Sequence, residues 1–213
     1  MRDTDKLIDE LSRGAEPVRP LAAPLARAGM LLAIVLGAIA AFAAFAGHTA
    51  DTFTHLAHMP FTLELGGALL AGIGAIIAAV TLSIPGRARA WIYLPLPGLA
   101  LWLIGGGLEC HRQISDLGYA FTSAFASRDC FVFIVGAGVP LTATTYLFLR
   151  RHLAVDAARV TVLAALGSAL LAATLLQFVH AHGTNPTDFL THVVAVTLLA
   201  LLGLVAARLD ARH

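Results

Sequence analysis

Residues 28–47 read AGMLLAIVLGAIAAFAAFAG, twenty residues without one charged or amide side chain. An α-helix needs about 20 such residues to cross a hydrocarbon core about 30 Å thick. Lipid offers no water to backbone N–H and C=O groups, so only helices and closed barrels can span it. Barrel strands would alternate polar and apolar side chains with a period of two. This run is apolar throughout, and a helix is the only reading it allows.

Five more runs follow the same rule, at residues 61–84, 91–107, 130–149, 160–180 and 189–207. The third is short and holds Pro95 and Pro97, which a span tolerates when neighbouring helices satisfy the freed carbonyls. The fold class is therefore all-α, an integral membrane bundle of six transmembrane helices with a short cytoplasmic N-terminal helix. Residues 1–27 form the N-terminal segment, 28–207 the membrane domain and 208–213 a tail. Composition agrees. Of 213 residues, 58% are hydrophobic and only 13% charged, about half the charge of an ordinary soluble domain. No soluble domain of normal size fits beside the spans. A net charge of +1, with no broad basic face, argues against direct nucleic-acid binding. The polar 27 residues ahead of the first run, and that run's length, argue against a signal peptide.

Lys and Arg mark the cytoplasmic side of a multi-pass protein. Arg2, Lys6, Arg13, Arg19, Arg27, Arg87, Arg89, Arg150, Arg151, Arg159, Arg208 and Arg212 fall on one side, and only Arg112 and Arg128 on the other. Twelve against two puts both termini in the cytoplasm. Helix association in lipid relies on close approach through small residues. Gly37/Ala41, Gly67/Ala71, Ser168/Ala172 and Gly203/Ala207 are spaced for it. Ionisable side chains within spans mark ion pathways. The clear candidate is Glu64, expected in the first turn of the second span, where a helix N-terminus favours a carboxylate.

The far side collects side chains that bind transition metals. His48, His55, His58, His111, His180, His182 and His192 lie there or near it, with Cys110 and Cys130. Imidazole and thiolate are the natural ligands of Zn, Cu and similar ions near neutral pH. His55 and His58 are three residues apart and share a face on a helical turn. An Asn185-Pro186 turn would bring His180 and His182 towards His192, and Cys110 and His111 adjoin on the loop expected before the fourth span. The candidate metal ligands are His55, His58, His111, His180, His182 and His192, with Cys110 and Cys130 as sensing thiols. Three readings stay open. The group senses a metal or oxidant, the cysteines form a structural disulfide, or the residues have no special chemistry. A histidine cluster would also report acidity. Beyond a transition-metal ion as signal ligand, no cofactor is expected.

The N-terminal segment has its own order. Thr4 or Asp5 can cap a short helix whose Leu7, Ile8 and Leu11 form an apolar stripe, and Gly14 ends it. Pro17, Arg19, Pro20 and Pro24 then make a stiff, extended link. A helix of about ten residues is not stable alone in water, so the stripe needs the bilayer or a protein partner. Its acids (Asp3, Asp5, Asp9, Glu10) suit a basic groove better than an anionic leaflet.

The stretch LIDELSRGAEPVRPLAAPLARA, residues 7–28, resembles the N-terminal signature of the NrsF family of bacterial membrane proteins. That signature is a Leu-Ile-Asp helix, then Pro-Val-Arg-Pro-Leu, then a basic residue before the first span. The family also has six spans and a cysteine opening the fourth, matched here by Asp129-Cys130-Phe131. The resemblance implies an anti-sigma factor that holds an extracytoplasmic-function (ECF) sigma factor at the inner membrane and releases it under metal or oxidative stress. It assigns sigma-contacting and positioning roles to Leu7, Ile8, Asp9, Leu11, Pro17, Arg19 and Pro20, and makes Cys130 the family's outer cysteine. One departure concerns the last outer loop, where the family often has a cysteine after a histidine. Here Ala181 and then His182 follow His180, which favours a metal over a thiol switch. The competing hypothesis is a small metal or solute permease, and a weaker one a structural subunit of a membrane complex. No nucleophile–base pair on one face suggests an enzyme.

Overall fold

The structure, a computed structural model, describes residues 2–13, 22–46, 54–116, 118, 128–150, 156–179 and 186–210. Its α-helices are α1 (Arg2–Arg13), α2 (Pro24–Ala46), α3 (Met59–Leu82), α4 (Leu96–Ser115), α5 (Arg128–Leu149), α6 (Ala157–Leu176) and α7 (Pro186–Asp210). A 3-10 turn, Arg89–Tyr93, leads into α4. No strand occurs among the described residues. Six segments, α2 to α7 with the 3-10 turn joined to α4, are long and apolar enough to cross a membrane.

The expected spans are all present, with four shifts at their ends. α2 begins at Pro24, so Arg27 lies inside the helix, buried, its guanidinium 5.7 Å from the centre of the Phe148 ring. The third span is interrupted at its prolines, as expected: a 3-10 turn ends at Tyr93 and α4 begins at Leu96. Pro97 occupies the first turn, where the missing N–H has no partner to lose, and the helix runs eight residues past residue 107 to Ser115. Glu109 holds those added turns by accepting from Arg112 and Gln113, three and four residues on. Cys110 and His111 are therefore helical, not loop residues. α6 stops at Leu176, short of His180, and tightens into i→i+3 bonds from Phe178 and Val179. α7 starts three residues early, at Pro186. α1 likewise starts at Arg2, ahead of the expected cap at Thr4 or Asp5.

α6 is the hub. Fifteen of its twenty residues are buried and none of its central turns faces outward. It is apolar all round, as a buried helix must be. α3, α5 and α7 pack around it, α2 lies against α3, and α4 against α3 and α7. Facing residues establish the directions. Phe42 of α2 meets Phe133 of α5, and Arg27 meets Phe148, so these two run antiparallel. On α3 and α4, Glu64 faces Gly105, Gly67 faces Trp102 and Ala71 faces Gly98, again antiparallel.

At this α3–α4 seam the two backbones approach closely. A methyl group added at Gly67, Gly98 or Gly105 would strike the backbone of the other helix, not a movable side chain. Of the four small-residue pairs, Gly67/Ala71 works as expected. Gly203 also sits against Thr161 and Ala165 of α6, and the Ser168 hydroxyl reaches that of Thr145 at 3.5 Å. Gly37 faces open space and makes no such contact. Two long cores of Ala, Leu, Ile and Val fill the remainder.

Candidate functional site

Alternating helix directions bring the C-terminal ends of α2, α4 and α6 and the N-terminal ends of α3, α5 and α7 to one end of the bundle. Polar side chains are buried there. Glu64, the sixth residue of α3 rather than part of its first turn, is 1% exposed. Gln177, just past α6, donates from Nε2 to Glu64 Oε1 at 3.3 Å. Helix α4 can approach Glu64 because Gly105 has no side chain to hold it off.

A second buried carboxyl, Glu109, lies on α4. Arg112 grips it with two donors, Nε to Oε2 at 3.1 Å and a terminal nitrogen to Oε1, while Gln113 Nε2 donates at 3.0 Å. A paired planar guanidinium makes strong, charge-assisted hydrogen bonds to a carboxylate, and here it reaches in from a partly exposed position. The neighbouring Cys110 is half-buried and His111 exposed.

On α5 and α7, Cys130 is 3% exposed, with its Sγ 3.8 Å from Asp188 Oδ1. One turn further along α7, His192 is 3% exposed. The edge of the Phe189 ring covers Gly106, and the ring lies 5.7 Å from that of Trp102. This contact ties α4 to α7 beneath the polar layer. His55 and His58 precede α3, their rings 6.2 Å apart, with His55 also 5.7 Å from Phe61. Thr62 fixes this turn by donating its hydroxyl to Leu56 O at 2.8 Å. The described residues thus place His55, His58, His111, Cys110, Cys130 and His192 at one end without converging them. No three His, Cys, Asp or Glu side chains among the described residues could hold one metal ion. His180 and His182 lie outside the described residues, as do Pro17, Arg19 and Pro20. Both cysteines are free thiols.

Sequence reasoning missed Glu109, Gln113, Gln177 and Asp188. Their signal was a polar side chain punctuating the last turns of an apolar run. Such residues read equally well as the start of a loop.

At the opposite end, α1 carries Leu7, Ile8 and Leu11 exposed together, Leu11 at 67%. Asp9 pairs loosely with Arg13 at 3.9 Å, both well exposed, a contact worth little in water. The apolar stripe of α1 is therefore uncovered. Ionisable residues of the described spans cluster at the two ends, and the hub carries none between Arg159 and Gln177.

A family model described as NrsF, negative regulator of sigma F, matches residues 11–212, nearly the whole chain. The match takes in Leu11, Cys110, Cys130 and the entire helical bundle, while Leu7, Ile8 and Asp9 lie just before it. No curated protein and no solved structure matches the chain.

Proposed function

The chain belongs to the NrsF family of negative regulators of sigma F, and from that premise we propose that it is a membrane anti-sigma factor for an ECF sigma factor. Helix α1 holds the sigma factor at the cytoplasmic face of a bacterial inner membrane. A metal or oxidative signal at the Cys130 end releases it. The observation that carries the reading is the bare stripe of Leu7, Ile8 and Leu11 on a twelve-residue helix. A helix this short gains stability from the surface it docks on. An amphipathic helix in a hydrophobic groove is a common way to supply that surface.

The distribution of arginines supports a cytoplasmic α1, because twelve of fourteen cationic side chains lie at the α1 side of the spans. Signalling from the other end requires the signal to bind the releasing state better than the holding state, by a coupling of about 1–3 kcal/mol. The buried polar layer suits this task. Glu64–Gln177 links α3 to the end of α6, Cys130–Asp188 links α5 to α7, and Phe189 links α7 to α4. A ligand or oxidant that altered one pair would change how several helix ends meet. The permease reading loses ground, since the described spans offer no chain of ionisable groups from end to end.

The test is capture of a sigma factor by the full chain in lipid nanodiscs, using the sigma factors of the host. Recovery of one, lost on Leu7→Asp/Leu11→Asp, is the expected result. No sigma factor retained by the unaltered chain would refute the proposal.

A further inference from the structure

A cleft of about 530 Å³ opens at the α1 end, between the close of α3, the 3-10 turn and the start of α6. Arg87, Arg89 and Arg159 line it together with Asp156 and Tyr93. Its inner wall is apolar, made by Leu82, Ile84 and Ile92. The chain enters it through Gly86, whose φ of +82° allows a reversal that a side chain would strain. Arg87 and Arg89 follow that turn and line the cleft together with Arg159.

We infer that this cleft is a binding site for a phosphate-bearing anion, and that a phospholipid headgroup is the ligand its position favours. Three arginines and one aspartate line it. Asp156 pairs with Arg159 at 2.6 Å, but both side chains are substantially exposed, at 36% and 45%, so the pair is weak and leaves two positive charges in excess. Guanidinium forks match phosphate oxygens in pairs. Scattered loop arginines would satisfy the charge asymmetry of a multi-pass protein equally well; convergence on one concave surface is additional to it.

The depth fits as well. α3 has 24 residues, about 36 Å of helix, longer than a hydrocarbon core of about 30 Å. Its last residue, Leu82, therefore emerges at headgroup level, beneath the arginines. The apolar wall would take the first methylenes of an acyl chain while the rim takes the phosphate. Basic pockets between spans are a known way to hold anionic lipids.

The full chain, purified in a neutral detergent, tests this through its thermal unfolding midpoint with dioleoylphosphatidylglycerol, dioleoylphosphatidylcholine or inorganic phosphate added. A ligand that binds the folded state raises the midpoint. Phosphatidylglycerol should raise it by several degrees more than phosphatidylcholine. Arg87→Gln/Arg89→Gln/Arg159→Gln should remove that difference, with binding about a hundredfold weaker at about 1 kcal/mol per arginine, while Arg208→Gln at the same end but outside the cleft should keep it. Should the triple variant not fold, Arg89→Gln alone must still show a partial loss. A rise with inorganic phosphate that also needs the three arginines identifies a soluble phosphate as the source; a rise with the lipid alone identifies the headgroup. A triple variant as responsive as the unaltered chain, or equal rises with both lipids, overturns the site.

Discussion

Gln177 Nε2 donates to Glu64 Oε1 at 3.3 Å, joining the end of the central helix to the second span across 113 residues of sequence. Both side chains are buried, so neither has water to fall back on. Gln177→Leu should lower stability by about 1–2 kcal/mol, because it leaves a buried carboxyl short of a donor. Glu64→Leu/Gln177→Leu should recover much of that loss, since removing both partners leaves less unsatisfied. Thermal unfolding of the two variants in detergent checks this; a double variant no more stable than Gln177→Leu alone contradicts it.

The α3–α4 seam predicts a sharp contrast among glycines. Gly105→Ala drives a methyl group into the backbone at Leu63 and Glu64, and should cost about 1–3 kcal/mol as the helices separate. Gly37→Ala faces open space and should be neutral or slightly stabilising, because alanine is the better helix former. Unfolding midpoints of the two variants measure the difference.

Thiol accessibility should divide the cysteines. Cys110 is half-buried and Cys130 is 3% exposed, so a maleimide should modify Cys110 faster, by at least severalfold. The comparison uses Cys110→Ser and Cys130→Ser, each with one thiol left. Faster labelling of Cys130 would mean that the α5–α7 end opens in solution.

For the head, Leu7→Asp and Leu11→Asp should each weaken capture of the sigma factor by about tenfold or more, the equivalent of about 1.5–3 kcal/mol for one buried leucine. Asp9→Asn should cost far less, as its pairing with Arg13 is exposed. Binding measured on the full chain in nanodiscs separates the two outcomes.

Release is tested with a sigma-dependent reporter exposed to metals, oxidants and acid. Cys130→Ser and His192→Ala alter buried side chains of the polar layer and should shift the response. His111→Ala alters an exposed one and should not. Equal behaviour of all three would remove the buried layer from the signalling path.

Much of this architecture was legible in the sequence, and the reason is lipid. Six long apolar runs had no other stable form, and each reappears as a helix. Their ends were harder to read. Glu109, Arg112 and Gln113 have the composition of a loop, yet their mutual bonds at three- and four-residue spacing keep α4 helical to Ser115. Helix order around α6 was hidden as well, because spans apolar on every face carry no periodicity to say which side meets which neighbour. Glu64 was visible as an oddity, but its partner Gln177 could be found only once the packing was known. The exposed stripe of α1 was readable at once, since a polar helix displays its apolar face plainly.

The enclosure of α6 carries a mechanical corollary. An axle walled on all sides cannot swing alone: any turn or slide it makes must be shared by the three rods pressed against it. News arriving at one membrane surface would thus cross as a joint displacement of the whole assembly, and stiffening any one contact along the axle would mute it.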